Sequence, residues 1–128
     1  SGAGFPGIAL GALYPSSQVT LIESRHKRAT FLKQVVRQSK AQNITVLCER
    51  TENIIDTFNG VISRAYKPPL EFLKDADRLV RPDGYAVCLL GECGHFTIPN
   101  NWEFISEKTY QVSDNDGYRK RWILRRIN

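Results

Sequence analysis

The fold is decided by the first stretch of the chain, Ser1-Gly2-Ala3-Gly4-Phe5-Pro6-Gly7-Ile8. Gly2 and Gly4 carry no Cβ, so the backbone N–H groups of this segment can lie in contact with a ligand. Pro6 is typical of the first turn of a helix, and the apolar spacing that follows predicts a helix ending before Pro15. The positive end of such a helix favours a carboxylate or phosphate. An ordinary glycine-rich turn fits the same residues, so both interpretations stay open here.

Outward from this loop, strands and helices alternate. The apolar spacing predicts, in order, strands over 18–23, 44–48, 58–64 and 85–90, helices over 25–41 and 68–79, and a final hairpin of strands over 107–112 and 118–127. We expect Ser24 to cap the second helix and Pro82-Asp83-Gly84 to end the third. The order indicates one α/β domain over 1–128, with a mostly parallel sheet, strand 85–90 at its centre and an antiparallel hairpin at the end. In nucleotide-binding α/β units a strand precedes the glycines, so we expect that first strand to be absent from this chain.

The composition is that of a globular protein with an excess of basic residues. Hydrophobic residues make up 41% of the 128, and no apolar run approaches the roughly 20 residues of a membrane-spanning helix. We therefore expect a cytoplasmic protein without a membrane partner. Eighteen Lys and Arg against 13 Asp and Glu give a net charge of +5. That excess fits a polyanion such as RNA and equally fits a solvated basic surface.

The cysteines do not indicate a disulfide framework or a metal site. Their number is odd, three, and two of them lie in apolar runs, which indicates a reducing compartment. Cys88, Cys93 and His95 are close in sequence, but their spacing matches no paired-ligand pattern for zinc. We expect no metal.

Polar residues stand at the carboxyl ends of the predicted strands, where an α/β sheet binds its ligands. They are Gly2 and Gly4 in the loop, then Glu23, Thr51, Glu52 and Arg64. Glu23 follows the glycines by about 20 residues, the spacing at which an acid accepts both hydroxyls of a ribose. An acid at the end of a strand also occurs as a helix cap or a surface ion-pair partner. The pattern favours an adenosine-bearing cofactor and leaves both NAD and S-adenosylmethionine open.

The densest basic segment lies within the last predicted strand and runs from Arg119 to Arg126. In a strand, Arg119 and Arg121 share one face with Ile123 and Arg125, and the residues between them share the other. Charge on both faces is typical of an edge strand protected against aggregation. The sharper interpretation is that these side chains bind RNA phosphates, with an affinity that falls as salt rises.

Several motifs resemble, in the same order, those of the RsmG family, once called glucose-inhibited division protein B. They are the opening run 1–8, Leu21-Ile22-Glu23-Ser24-Arg25 with Lys27-Arg28 and Phe31-Leu32, the pair Arg50-x-Glu52, and Val61-Ile62-Ser63-Arg64-Ala65. They span most of the chain. Members of this family methylate guanine N7 in 16S ribosomal RNA, using S-adenosylmethionine on a Rossmann-like fold. The resemblance implies that cofactor, that activity and, as partner, ribosomal RNA or the small ribosomal subunit. We expect a monomer.

The resemblance also implies roles for individual residues. Gly2 and Gly4 belong to the cofactor loop, and Phe5 lies against the cofactor. Glu23 binds the ribose, and Thr51 and Glu52 lie beside the adenine. Arg64 lies at the mouth shared by cofactor and substrate, and Arg119 lies near the terminal hairpin. The expected RNA contacts are Arg64, Arg119 and Arg121. No catalytic residue is expected, because guanine N7 is already a nucleophilic lone pair without a proton and needs mainly to be oriented.

Alternatives to an active methyltransferase rest on two departures from the family. We expect the family's strand before the glycine loop and its N-terminal helical region to be absent from this chain, and Leu90-Gly91 stands where the family usually has Lys-Gly. Both favour a non-catalytic, cofactor- or RNA-binding remnant of the fold. An NAD-dependent oxidoreductase is disfavoured because the sequence shows no Tyr-x-x-x-Lys pair. A structural ion pair with Glu52 or Glu23 is the alternative role of Arg64.

Overall fold

The computed structural model describes residues 6–64, 67–91, 97–111 and 117–127. The chain falls into two units, Ser1–Ile54 and Ile55–Asn128, and each has its own sheet and core. The single domain expected from the sequence stays a prediction. Among the described residues, the helices are all too short or too polar to cross a membrane.

The first unit is a parallel pair of strands with two helices. Its elements are α1 (Gly7–Leu13), β1 (Val19–Ile22), α2 (His26–Ser39), β2 (Ile44–Leu47) and a short 3-10 helix (Thr51–Asn53). Val19 lies opposite Ile44 at one end of the pair, and Ile22 lies opposite Leu47 at the other. The buried stripe of α2, at helical spacing, covers the pair and gives the unit a core of Leu21, Leu32 and Ile44.

Helix α1 lies unusually close to this pair of strands because two of its residues are glycine. A Cβ added to Gly7 would overlap the Leu21 side chain, and one added to Gly11 would lie 2.5 Å from Ile44 Cγ1. The two glycines are four residues apart, so they lie on the same face of α1. Both are buried. Close helix–strand packing therefore depends on these two positions.

Asn43 fixes the connection between α1 and β1. Its side-chain amide donates to the carbonyl oxygens of Gly11 at 2.8 Å, Tyr14 at 3.3 Å and Ser17 at 2.9 Å. Its own carbonyl accepts the backbone N–H of Val19 at 2.8 Å. One side chain beside β2 therefore ties the last turn of α1 to the loop that follows it, through the carbonyls of Gly11, Tyr14 and Ser17.

The second unit is a four-stranded mixed sheet covered by one helix. Its elements are β3 (Phe58–Arg64), α3 (Pro69–Leu79), β4 (Val80–Leu90), β5 (Trp102–Gln111) and β6 (Tyr118–Arg126). The spatial order is β3-β4-β6-β5; β3 and β4 are parallel, and β6 is antiparallel to both of its neighbours. Phe72, Leu73 and Ala76 of α3 pack against one face of the sheet, where Leu124 is fully buried.

The described strands and helices confirm the predicted order of elements, including the central position of β4 and the terminal hairpin. Two predictions at helix ends are wrong. Arg25, not Ser24, is the N-cap of α2, and the Glu23 carboxylate accepts its backbone N–H at 3.5 Å. Helix α3 ends at Leu79 and runs directly into β4, where Pro82-Asp83-Gly84 form a bulge instead of a helix stop. Asp83 there adopts a left-handed φ of 65°.

The prediction that the last strand lies at a sheet edge is wrong as well. Strand β6 pairs with β4 on one side and with β5 on the other, so it is an inner strand. Its core face carries Trp122 and Leu124, and the two charged residues on that face reach past the core. Lys120 pairs with Glu107, and Arg126 donates to carbonyls at the end of α3.

Candidate functional site

The carboxyl end of β1 carries the buried acid Glu23. Its backbone N–H donates to the carbonyl of Leu47 at 3.0 Å, so the residue extends the parallel ladder by one step. The residue is 8% exposed, with Oε2 facing the Arg25 N–H and Oε1 lying 4.0 Å from Arg28 Nη1. These contacts place the carboxylate at the amino-terminal end of α2, where the helix dipole favours negative charge.

Thr51 and Glu52 lie at the same edge, in the 3-10 helix that follows β2. Parallel strands end at one edge of their sheet, so the segments after β1 and β2 are neighbours. Thr51 Oγ1 donates to Glu52 Oε1 at 3.4 Å, and Glu52 is exposed. The structure therefore brings three predicted cofactor residues to one edge of the first unit, one buried and two reaching solvent.

A thiol–imidazole contact lies at this edge too, and sequence reasoning missed it. Cys48 Sγ lies 3.7 Å from His26 Nδ1 and donates to the Ser24 carbonyl at 4.0 Å. The two side chains are 22 positions apart in sequence and meet only because β2 ends beside the start of α2. No spacing rule signals such a pair. The packing glycines Gly7 and Gly11 did have a signal, a four-residue spacing on one helix face.

The three predicted RNA residues lie together on one face of the second sheet. Arg64 ends β3 opposite Leu89 of β4, and Leu89 lies opposite Arg121 of β6. Direct cross-strand partners share a face, and Arg119 follows the same alternation two residues away. Val61 and Trp122 lie on the other face of the sheet and pack into the core beneath α3. The arginines are therefore on the face that α3 does not cover.

Several sequence predictions lie outside the described residues. They are the cofactor residues Gly2, Gly4 and Phe5, and the cysteine and histidine of the rejected zinc pattern, Cys93 and His95. Cys88, the third member of that pattern, is 2% exposed and belongs to the core of the second unit. In the part of the chain that the structure describes, no three His, Cys, Asp or Glu side chains are grouped as metal ligands would be.

Comparison with known proteins settles the family. The sequence model of rRNA small subunit methyltransferase G, also called GidB, matches residues 1–113. The chain belongs to this family. A relative from Pseudomonas fluorescens (strain Pf0-1), ribosomal RNA small subunit methyltransferase G, is 36% identical over 98% of this chain and 61% of its own length. The resemblance seen in the motifs is confirmed, and the chain spans less than two thirds of that relative.

Solved structures support the family at the level of the fold. Putative methyltransferase yhhF from Escherichia coli superposes with a TM-score of 0.70 over 98% of this chain and 74% of its own, at 22% identity. N-methyltransferase NodS from Bradyrhizobium japonicum WM9, in complex with S-adenosyl-L-homocysteine, gives 0.71 over 95% and 74%, at 12% identity. Such low identities show the fold alone, and the predicted Rossmann-like methyltransferase fold is confirmed.

The family match ends before β6 begins. Arg64 lies inside the matched residues 1–113, whereas Arg119 and Arg121 lie beyond them. Membership of the methyltransferase G family therefore bears on the first arginine directly. The other two enter the candidate site through their position in the sheet.

Proposed function

We propose that the protein transfers the methyl group of S-adenosylmethionine to N7 of a guanine in 16S ribosomal RNA. The proposal places it in the cytoplasm, as a monomer, with the small ribosomal subunit as its partner. This chain would supply an edge that binds the cofactor and a face that binds RNA. Family membership supports methyl transfer to small-subunit ribosomal RNA. The polar residues at the edge of the first sheet support cofactor binding there, and the arginines on one face of the second sheet support RNA binding there.

The observation that carries the proposal is the position of Glu23. A carboxylate has about four acceptor sites on its two oxygens, enough for two ribose hydroxyls beside its protein contacts. Burial and the start of α2 fix its orientation, so little freedom would be lost on binding. Thr51 and Glu52 at the same edge offer a hydroxyl and a second carboxylate to the adenine end of the cofactor. The residues present therefore fit an adenosine group.

The chemistry asks for orientation more than for proton transfer. S-adenosylmethionine, when bound, supplies an electrophilic methyl carbon. Guanine N7 presents a lone pair without a proton, so no side chain has to act as a base. The task of the protein is to align the two reacting atoms, which can lower a barrier substantially. Arg64, at the carboxyl end of β3, would position an RNA phosphate.

One observation favours a second candidate, a cofactor-binding module without catalysis. Leu90, at the position where the family usually has lysine, is 7% exposed and packs in the core of the second unit. It offers no polar group to a substrate. A chain that binds S-adenosylmethionine but transfers no methyl group to 16S ribosomal RNA or to small subunits would support this second candidate over the first.

The test is a calorimetric titration of the chain with S-adenosylmethionine, and separately with NAD. We expect saturable one-to-one binding of S-adenosylmethionine. The Glu23→Gln variant removes the charge and keeps the shape. It should lower the affinity about ten-fold or more, because a hydrogen bond to a charged group contributes about 1.5–3 kcal/mol.

The matched control is Glu71→Gln, which removes an exposed carboxylate from the first turn of α3. It should leave the affinity unchanged. Tight binding of NAD in place of S-adenosylmethionine would contradict the proposal. Equal affinities for the wild-type chain and Glu23→Gln would contradict the role of Glu23.

A further inference from the structure

A row of side chains crosses all four strands of the second sheet near the carboxyl ends of β3 and β4. In order across the sheet, its members are Arg64, Leu89, Arg121 and Lys108, each directly opposite the next. Neighbouring strands are about 4.8 Å apart, so the backbones of Arg64 and Arg121 are separated by about 10 Å and those of Arg64 and Lys108 by about 14 Å. Direct partners share a face, so three cations lie on one side of the sheet.

The row brings like charges together, which destabilises a sheet. Lys108 lies opposite Arg121 across β5 and β6. Within the described residues, the ion pairs of this hairpin involve other cations, Lys120 and Arg125, and none involves Lys108 or Arg121. The Nε of Arg121 is shielded from solvent and has no hydrogen-bond acceptor there. An anion lying on the row would relieve the repulsion between these cations.

The contrast with the next cation on the same face strengthens this conclusion. Arg125, four residues along β6 from Arg121, lies opposite Glu103 and pairs with it at 2.7 Å and with Asp83 at 2.8 Å. The fold therefore supplies carboxylates to one arginine of this face and a lysine to another. A general excess of basic residues does not explain why the two arginines have such different partners, whereas a binding site for an anion does.

We propose that Lys108 is an RNA-contacting residue, and that it forms with Arg121 and Arg64 a phosphate track running across the strands of the second sheet. A span of about 14 Å exceeds what one phosphate group occupies, so the ligand is a nucleic acid backbone rather than a single anion. The inference rests on the proposed function for the identity of that backbone as ribosomal RNA. The track lies at the carboxyl ends of β3 and β4, the edge at which α/β sheets bind their ligands.

The experiment measures the affinity of the chain for a labelled single-stranded RNA oligonucleotide by fluorescence anisotropy over a range of salt concentrations. Each phosphate contact on a single strand contributes about 0.7 to the slope of log affinity against log salt. Lys108→Gln should therefore weaken binding and reduce the slope by about 0.7. Arg121→Gln should do the same.

The matched control is Lys120→Gln, which removes one charge from the adjacent position of β6 on the opposite face, where it pairs with Glu107 at 3.8 Å. Its slope should equal that of the wild-type chain. A slope reduced equally by Lys108→Gln and Lys120→Gln would show a net-charge effect and overturn the inference. An unchanged slope for Lys108→Gln, or no RNA binding by the wild-type chain, would overturn it too.

The cofactor titration separates this inference from the proposed function. If S-adenosylmethionine binds and Lys108→Gln leaves the salt slope unchanged, the track is overturned while the cofactor site stands. If the slope falls as expected and S-adenosylmethionine does not bind, the track is supported and the methyltransferase proposal fails.

Discussion

The two ends of β6 use the same kind of side chain in different ways. At its carboxyl end, Arg125 is bound by Glu103 and Asp83, and Arg126 donates to the carbonyls of Asp77 and Val80. At its amino end, Arg121 faces the lysine of β5. At the carboxyl end the arginines have carboxylate or carbonyl acceptors within the fold, whereas at the amino end Arg121 faces a second cation. A run of basic residues in a sequence therefore mixes two environments that only the tertiary contacts distinguish.

The largest effect should come from Arg126→Ala at the carboxyl end. This change leaves two carbonyls near the end of α3 without their charged donor and removes a cation from the negative end of that helix. We expect the free energy of unfolding to fall by about 2–3 kcal/mol, from the strength of hydrogen bonds to charged groups. Urea denaturation followed by circular dichroism measures it. Arg125→Ala removes two ion pairs at the surface and should cost less. If Arg125→Ala cost more than Arg126→Ala, the comparison between these arginines would fail.

Asp75 of α3 is also held by ion pairs within the fold, and replacing it should have a smaller, pH-dependent effect on the free energy of unfolding. Burial alone raises the pKa of this carboxyl, but hydrogen bonds from Lys67 at 2.8 Å and Arg78 at 3.1 Å, with their charges, outweigh it and hold the pKa below its ordinary value. The folded state therefore favours the ionised form. Its contribution is present above the ordinary pKa of about 3.9 and is lost as the pH falls through the lower value in the folded protein.

Asp75→Asn should accordingly lower the free energy of unfolding at pH 7, and the difference from the wild-type chain should shrink as the solution is acidified. Denaturant titrations at a series of pH values measure this. A difference that stays constant with pH would show that Asp75 stabilises the fold through packing and not through its charge.

The smallest effect on stability should come from Arg121→Ala at the amino end. The change relieves repulsion with Lys108 and removes a buried Nε that has no acceptor among the described residues. We expect the free energy of unfolding to change by less than about 0.5 kcal/mol, as for surface substitutions away from specific contacts. A loss as large as that of Arg126→Ala would mean that both ends of β6 are structural, and the contrast between them would disappear.

The parts of the fold that follow from local pattern were predictable. Strand β4 is an apolar run of residues that β-strands favour, and the buried stripe of α2 has helical spacing, so each could be located from its own residues. The position of β6 was not predictable in this way. Its charged faces suggested an edge, but Lys120 and Arg126 reach beyond the core to partners on β5 and α3 that are distant in sequence.

In the candidate site, too, the residues with a local sequence signal were predictable and those placed by distant contacts were not. Glu23 was predicted from its distance to the glycines and its place after a strand, both of which are local. The predicted cap of α2 was wrong because the helix begins one residue later, with Arg25 as its N-cap, and the Glu23 carboxylate accepts the Arg25 N–H. Lys108 carried no signal, because it joins the other cations only through the register of the terminal hairpin.

The two glycines on the buried face of α1 determine what stabilises that helix. With seven residues it is far shorter than the roughly 12–15 that an isolated helix needs in water, and each glycine weakens it further. The same glycines permit the approach to Leu21 and Ile44 that stabilises it. Helix α1 is therefore stable only when it packs on the parallel strands beneath it. It should fold and unfold together with β1 and β2 in one cooperative step.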